Sequence, residues 1–306
     1  MRWLTQRGIL SLVAFGPVAE AAAHASNESA MLGLVQSPLA AVLIGFAAAA
    51  YALGRRRMGA ARARKIIGPL RASCFWSGLA VLGIALVSPL DHLAAESFAA
   101  HMTQHLLLML VAPPLLVWSR PGIALLWAVP LRTRRLVARQ WSGRRALRSC
   151  LARLMHPAVV FALASAALWV WHIPALYDAA LASETVHVAE HACFVLTSLA
   201  FWTLVTEPYG ARRVGYAATF VLVCTFALQS TLLGAILTFA DRPLYASYAL
   251  GRAALGLTGL EDQQLAGLAM WVPASVVYLL AFIGLIAAAF TSAETKAARR
   301  KTPHSP

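Results

Sequence analysis

The chain has 306 residues and is poor in charge. Only 12% of its residues are Asp, Glu, Lys or Arg, and acids are scarcer than bases, 12 against 26. Soluble domains carry about a quarter charged residues and about half apolar ones. Here 60% belong to the set AVILMFWYC and the mean hydropathy is +0.68, which excludes an ordinary soluble domain and points to a chain embedded in lipid. Cysteine is nearly absent: Cys74, Cys150, Cys193 and Cys224 form no CxxC and no close pair, which excludes a disulfide framework and a zinc-finger spacing. There is also no internal repeat, no glycine-rich phosphate loop and no Ser-His-Asp pattern.

The net charge of +14 would suggest a nucleic-acid partner in a soluble chain, but in a membrane protein it needs only basic cytoplasmic loops. Residues 1–26, with Arg2, Arg7, a short apolar stretch broken by Pro17 and Ala-x-Ala patterns near Ala25, read as a signal peptide, with an uncleaved anchor as the alternative. Beyond it, stretches long enough to cross about 30 Å of hydrocarbon recur seven times. They lie at about 36–54, 70–89, 101–119, 156–173, 187–206, 215–240 and 265–290. Lipid leaves no water for backbone groups, so these spans must be helices, and the fold class is an all-α polytopic membrane bundle. The membrane domain covers about 30–292 and a basic tail 293–306. Pro113-Pro114, in the middle of the third span, predicts a kink.

Of the 26 Lys and Arg residues, 22 fall in the segments 54–71, 119–155, 207–214 and 291–306. By the positive-inside rule these face the cytoplasm, which puts the mature N-terminus outside and the C-terminus inside a bacterial-type plasma membrane. Lipid is then a partner and nucleic acid is not.

Histidine is the informative residue. Of the nine, His24 lies in the leader and His304 in the tail; of the remaining seven, His92, His101, His105, His172, His187 and His191 all map to the outer ends of spans or to outer loops. His101 and His105 are four residues apart, as are His187 and His191, so each pair stands on one helix face where two imidazoles can grip one ion. With His172 they form the expected metal set, on the extracytoplasmic side. His92, Met102, Gln104, Glu190, Asp262 and Gln263 are the further candidates, as additional ligands or as partners orienting the histidines. Met102 and Met270 offer thioether sulfur suited to copper(I), although methionine at helical spacing is commonly packing. Capping a span is the simplest role for Asp262 and Gln263. The 241–264 loop, with Tyr245, Tyr248 and the apolar run 253–257, is expected to lie on the membrane, meet a partner or close as a lid.

Imidazole suits copper, zinc, iron and nickel alike, so three functions stay open. A haem electron carrier fits poorly, because two histidines one turn apart cannot sit on opposite faces of one porphyrin; no haem is expected. An intramembrane zinc hydrolase is suggested by the H-x-x-E-H string His187-Val-Ala-Glu-His191, with Glu190 as general base. A non-enzymatic protein that binds an ion and passes it on needs only what the sequence contains.

Several strings carry a resemblance: Ser88-Pro-Leu-Asp-His92, His101-Met-Thr-Gln-His-Leu-Leu-Leu-Met109 followed by Val111-Ala-Pro-Pro-Leu115, Trp171-His-Ile-Pro-Ala-Leu-Tyr-Asp178, His187-Val-Ala-Glu-His191, and Asp262 to Pro273. Together, over about 36–290, they resemble the CtaG family of multi-span membrane proteins associated with cytochrome c oxidase assembly. The resemblance implies a non-enzymatic assembly factor that meets oxidase subunits and delivers copper to the oxidase, or a metal-free scaffold that stabilises an unassembled subunit. The family motif falls on His101, Gln104, His105, His172, His187, Glu190, His191, Asp262 and Gln263. An unrelated single-span copper chaperone of the same name uses paired cysteines, which this chain lacks; copper here must rest on histidine and methionine.

Overall fold

The computed structural model describes residues 38–206, 214–249 and 256–301. The leader read over 1–26, and residues 250–255 of the 241–264 loop, lie outside them. Among the described residues every element is helical and there is no strand.

Helix α1 (Pro38–Met58) and the short α2 (Ala60–Ile66) lead into α3 (Gly68–Val87) and the surface helix α4 (Pro89–Glu96). The third span is built from α5 (Phe98–Leu106), a π turn (Leu107–Val111) and α6 (Ala112–Ser119). Pro113 has no N–H, so the α-helical bond to the carbonyl of Met109 cannot form. The Ala112 N–H instead reaches back to the oxygen of Leu107, the wider π pattern, and the Trp202 indole donates to the freed Met109 oxygen at 2.9 Å. The break expected from the two prolines is therefore absorbed as one π turn, and Phe98–Ser119 remains a single span.

After α7 (Pro121–Ala128) come α8 (Leu131–Gly143) and α9 (Arg145–Leu154), two basic helices with no buried residue. Then follow α10 (Pro157–Trp171), α11 (Pro174–Ala182), α12 (Glu184–Thr206), α13 (Tyr216–Thr238), the single turn α14 (Ala246–Ala249) and α15 (Gly259–Lys301). Six of the described helices are long and apolar enough to cross a membrane. A seventh candidate is the pair α9 and α10, which passes the same test only when taken together and is bent by 59°. The stretch read as one span at 156–173 thus starts at Pro157, where His156 caps the new helix by accepting the Ala158 N–H through Nδ1 at 3.3 Å. Segment 293–306, read as a tail, is helical as far as Lys301 and continues α15.

The helices sort into two packed groups. Around α1, α3 and α7, Tyr51 stacks on Phe75 with ring centroids 3.7 Å apart. The larger core lies among α5, α10, α12, α13 and α15, with Phe98, Phe194, Phe201, Trp202 and Tyr278 buried. Contact in lipid gains little from hydrophobicity, so close approach depends on small residues. A Cβ on Gly267 of α15 would collide with Thr238 Oγ1 and lie 2.6 Å from the Gly234 carbonyl oxygen of α13, so a glycine at 267 is required for these helices to touch. Phe46, Leu228 and Phe290 are 72%, 68% and 68% exposed, as residues facing hydrocarbon are free to be.

Candidate metal centre

The site begins with the way α5 is held. Ser97 caps it by accepting the Ala100 N–H, and the Ser97 hydroxyl donates to Asp262 at 2.8 Å. The Asp262 carboxylate also accepts the Phe98 N–H at 2.6 Å and the Ala99 N–H at 3.2 Å. Capping was expected of Asp262 at the start of its own span; its side chain instead caps α5 from across the bundle, while Thr258 and Glu261 cap α15 reciprocally. A carboxylate also suits the positive end of the helix dipole. This anchor fixes the rotation and depth of α5 one turn before His101.

On α5, the His101 and His105 rings meet edge to face with their Nε2 atoms 2.9 Å apart. From α12, His191 brings its ring to 5.4 Å from that of His105, and Glu190 puts Oε1 3.7 Å from His105 Nε2. One ligand atom each from His101, His105, Glu190 and His191 fits within a span of 4.8 Å. All four residues are buried. Both oxygens of Glu190 and Nε2 of His191 lack a hydrogen-bond partner. A carboxylate sealed from water with no donor costs several kcal/mol, so buried orphans of this kind call for a cation or an ordered water. Three imidazoles and a carboxylate form a donor set for a first-row divalent ion or for copper.

Aromatic residues close the centre. Tyr248 donates to the Ala94 carbonyl at 2.6 Å, which leaves its oxygen to accept from His101 Nδ1 at 3.3 Å. That places the His101 proton on Nδ1 and turns the Nε2 lone pair into the cluster. Tyr177 donates to Tyr248 at 3.5 Å, Tyr245 donates to the His172 carbonyl at 2.9 Å, and the Phe98 ring sits among all three tyrosines. Burial pushes the phenols of Tyr245 and Tyr248 further above their ordinary value, so both act as neutral donors. Of the roles open to the 241–264 loop, its described part takes that of a lid: Tyr245 and Tyr248 turn inward, held from below by Gln263, which accepts the Leu244 N–H at 2.6 Å and donates to the Arg242 carbonyl at 3.3 Å.

The remaining candidates are placed as follows. His187 flanks the cluster, its ring 4.1 Å from that of His191 and 5.3 Å from that of His101, with Nε2 unpartnered. His172 is buried at the end of α10, with Nδ1 donating to the Leu168 carbonyl at 2.6 Å and Nε2 unpartnered. Its ring lies 6.1 Å from that of His105, outside the compact set. Gln104 faces away, donating to the Ala85 carbonyl and to Asp91, each at 2.7 Å, and so ties α5 to α3 and α4. His92 stands exposed on α4, 3.7 Å from Glu96, and does not join the others. Met102 is buried beside His105. Sequence reasoning did not single out Tyr177, Phe98 or Ser97. The first two carry no signal in a chain rich in apolar residues, while Ser97 was legible as a helix cap.

The family model of the cytochrome c oxidase caa3 assembly factors, Caa3_CtaG, matches residues 49–292. The chain belongs to this family. The matched range holds every residue of the cluster and its aromatic cover, so for this Caa3_CtaG member the buried centre is part of the family domain. No curated protein and no solved structure gives a match.

Proposed function

We propose that this Caa3_CtaG protein binds copper at His101, His105, Glu190 and His191, with His187 as a flanking ligand, and passes it to cytochrome c oxidase during assembly. The carrying observation is the Glu190 carboxylate, fully buried and without a hydrogen bond, set among imidazoles whose ligand atoms lie within 4.8 Å of its own. Copper is the cargo that the family's association with an oxidase makes relevant, and imidazole accepts it. The role is non-enzymatic. Glu190 belongs to the compact donor set, so it serves the ion as a ligand and not as a free general base for a bound water.

In this reading the centre opens to the extracytoplasmic side. The histidines sit where α5 and α12 begin and α10 ends, and the arginine-rich α8 and α9 join the opposite ends of these spans. Transfer proceeds by ligand exchange, with donors of the oxidase subunit replacing imidazoles one at a time.

The test is the copper content of the oxidase in cells that lack the protein and are complemented with wild type or with His105→Ala/His191→Ala. A carrier requires that the variant, present in the membrane at wild-type level, leaves the oxidase assembled but depleted of copper. Full copper occupancy with the variant would show a metal-free scaffold instead.

A further inference from the structure

Next to the histidine centre, one step further into the bundle, lies a small cavity of about 20 Å³ with an unusual lining: Met102, Met109 and Met270 together with His105, His172 and Ser230. About 10–15 Å³ is enough for one water-sized body. Three of the chain's seven methionines converge on this one space, from α5, from the π turn and from α15. Met102, His105 and Met109 are three and four residues apart, so the same helix face that carries the centre continues into the cavity.

The polar atoms around it are as telling as the sulfurs. His172 is 6% exposed, its Nδ1 is committed to the Leu168 carbonyl, and its Nε2 has no partner. His105 is 3% exposed and has Nε2 beside His101 while its Nδ1 has no partner. Two of the residues that line this thioether-rich space thus each carry a buried imidazole nitrogen without a hydrogen bond. Packing alone accounts for methionine in a gap, but not for two unsatisfied imidazole nitrogens beside it.

We propose that this cavity is a second, deeper metal site, selective for a soft monovalent cation, Cu(I), and formed by Met102, Met109, Met270 and His172, with His105 standing between it and the outer centre. Thioether sulfur prefers Cu(I) over zinc and over the hard divalent ions, so the deeper site filters by oxidation state where the imidazole and carboxylate centre does not. The ion enters and leaves as Cu(I) by ligand exchange, no electron is transferred, and imidazole proton positions adjust as donors are exchanged. Copper as the cargo rests on the function proposed above; the existence of the site rests on its own lining.

The experiment uses the full chain in mild detergent, with silver(I) as a redox-inert probe for Cu(I) and zinc(II) as the harder ion, bound ion being counted by elemental analysis after desalting. Wild type is compared with Met102→Leu/Met270→Leu, which nearly conserves volume, and with His101→Ala/His191→Ala. The expected result is that the methionine variant binds one silver ion fewer than wild type and the same amount of zinc, while the histidine variant loses zinc and keeps the silver that the methionine variant loses. Equal silver stoichiometry in wild type and the methionine variant overturns the proposal. Silver X-ray absorption of the wild type needs no variant to fold: sulfur neighbours around silver are expected, and a shell of nitrogen and oxygen alone overturns it. Absence of zinc from wild type, with silver still lost on methionine replacement, would sink the histidine centre and leave the deeper site standing.

Discussion

The Nε2 atoms of His101 and His105 lie 2.9 Å apart, one turn from each other on a buried face of α5. Two such nitrogens either share a proton or converge on a cation. In the carrier reading proposed above, a cation would take the lone pair that Tyr248 leaves on His101 Nε2 and neutralise the unpartnered Glu190 carboxylate.

Replacing Glu190 with Gln keeps the shape and removes the charge that a cation would neutralise. A ligand at a hundred times its Kd stabilises a protein by about 2.7 kcal/mol. The wild type should therefore gain several degrees in melting temperature on adding copper, and Glu190→Gln should lose most of that gain while its metal-free melting temperature stays equal or rises. An unchanged copper-induced gain would remove Glu190 from the ligand set.

Tyr248→Phe leaves the ring packed on Phe98 but removes the oxygen that fixes the His101 tautomer. Groups that orient a ligating histidine typically account for a 10–100-fold difference in metal affinity. A loss in that range is expected in a competition titration against a copper chelator, with monodispersity in detergent retained.

Asp262 accepts two backbone N–H groups and one hydroxyl at the start of α5. Asp262→Ala leaves them buried and unmet, at a cost of about 1–3 kcal/mol. A lowered melting temperature should be accompanied by weaker metal binding, because α5 carries two of the ligands. Full metal affinity in the folded variant would show that the cap does not position the centre.

Retention should fall with acidity. Each ligating imidazole binds the ion in its neutral form, and free imidazole takes up its proton near pH 6.5. With three histidines in the compact set, affinity should drop by up to about a thousandfold per pH unit once protons compete for all of them. Equilibrium dialysis over a falling pH series should show release that steepens with acidity, and release coupled to less than one proton per ion would argue against imidazole ligation.

Much of this was legible in the chain. Hydropathy located the spans, since lipid imposes a helix on any long apolar run, and the i, i+4 histidine pairs declared a shared face because helical periodicity is strict. The tertiary partners were not legible. Nothing near Asp262 in sequence indicates that it caps a helix 165 residues away, and Tyr245 and Tyr248 read as readily as membrane-facing aromatics as they do as a lid. His172 looked equivalent to the other histidines, but it stands at the C-terminal end of α10 with its ring beside the methionine-lined cavity. The prolines at 113 and 114 signalled a disruption, but its form depended on Trp202 being near enough to take the freed carbonyl.

Elemental analysis of the purified protein after copper supplementation tests the central claim most directly, wild type against His105→Ala/His191→Ala, with folding of both verified by melting and gel filtration. At least one equivalent of copper in the wild type, lost in the variant, is the result expected of a carrier. Copper absent from the wild type, or retained equally by both proteins, would contradict it.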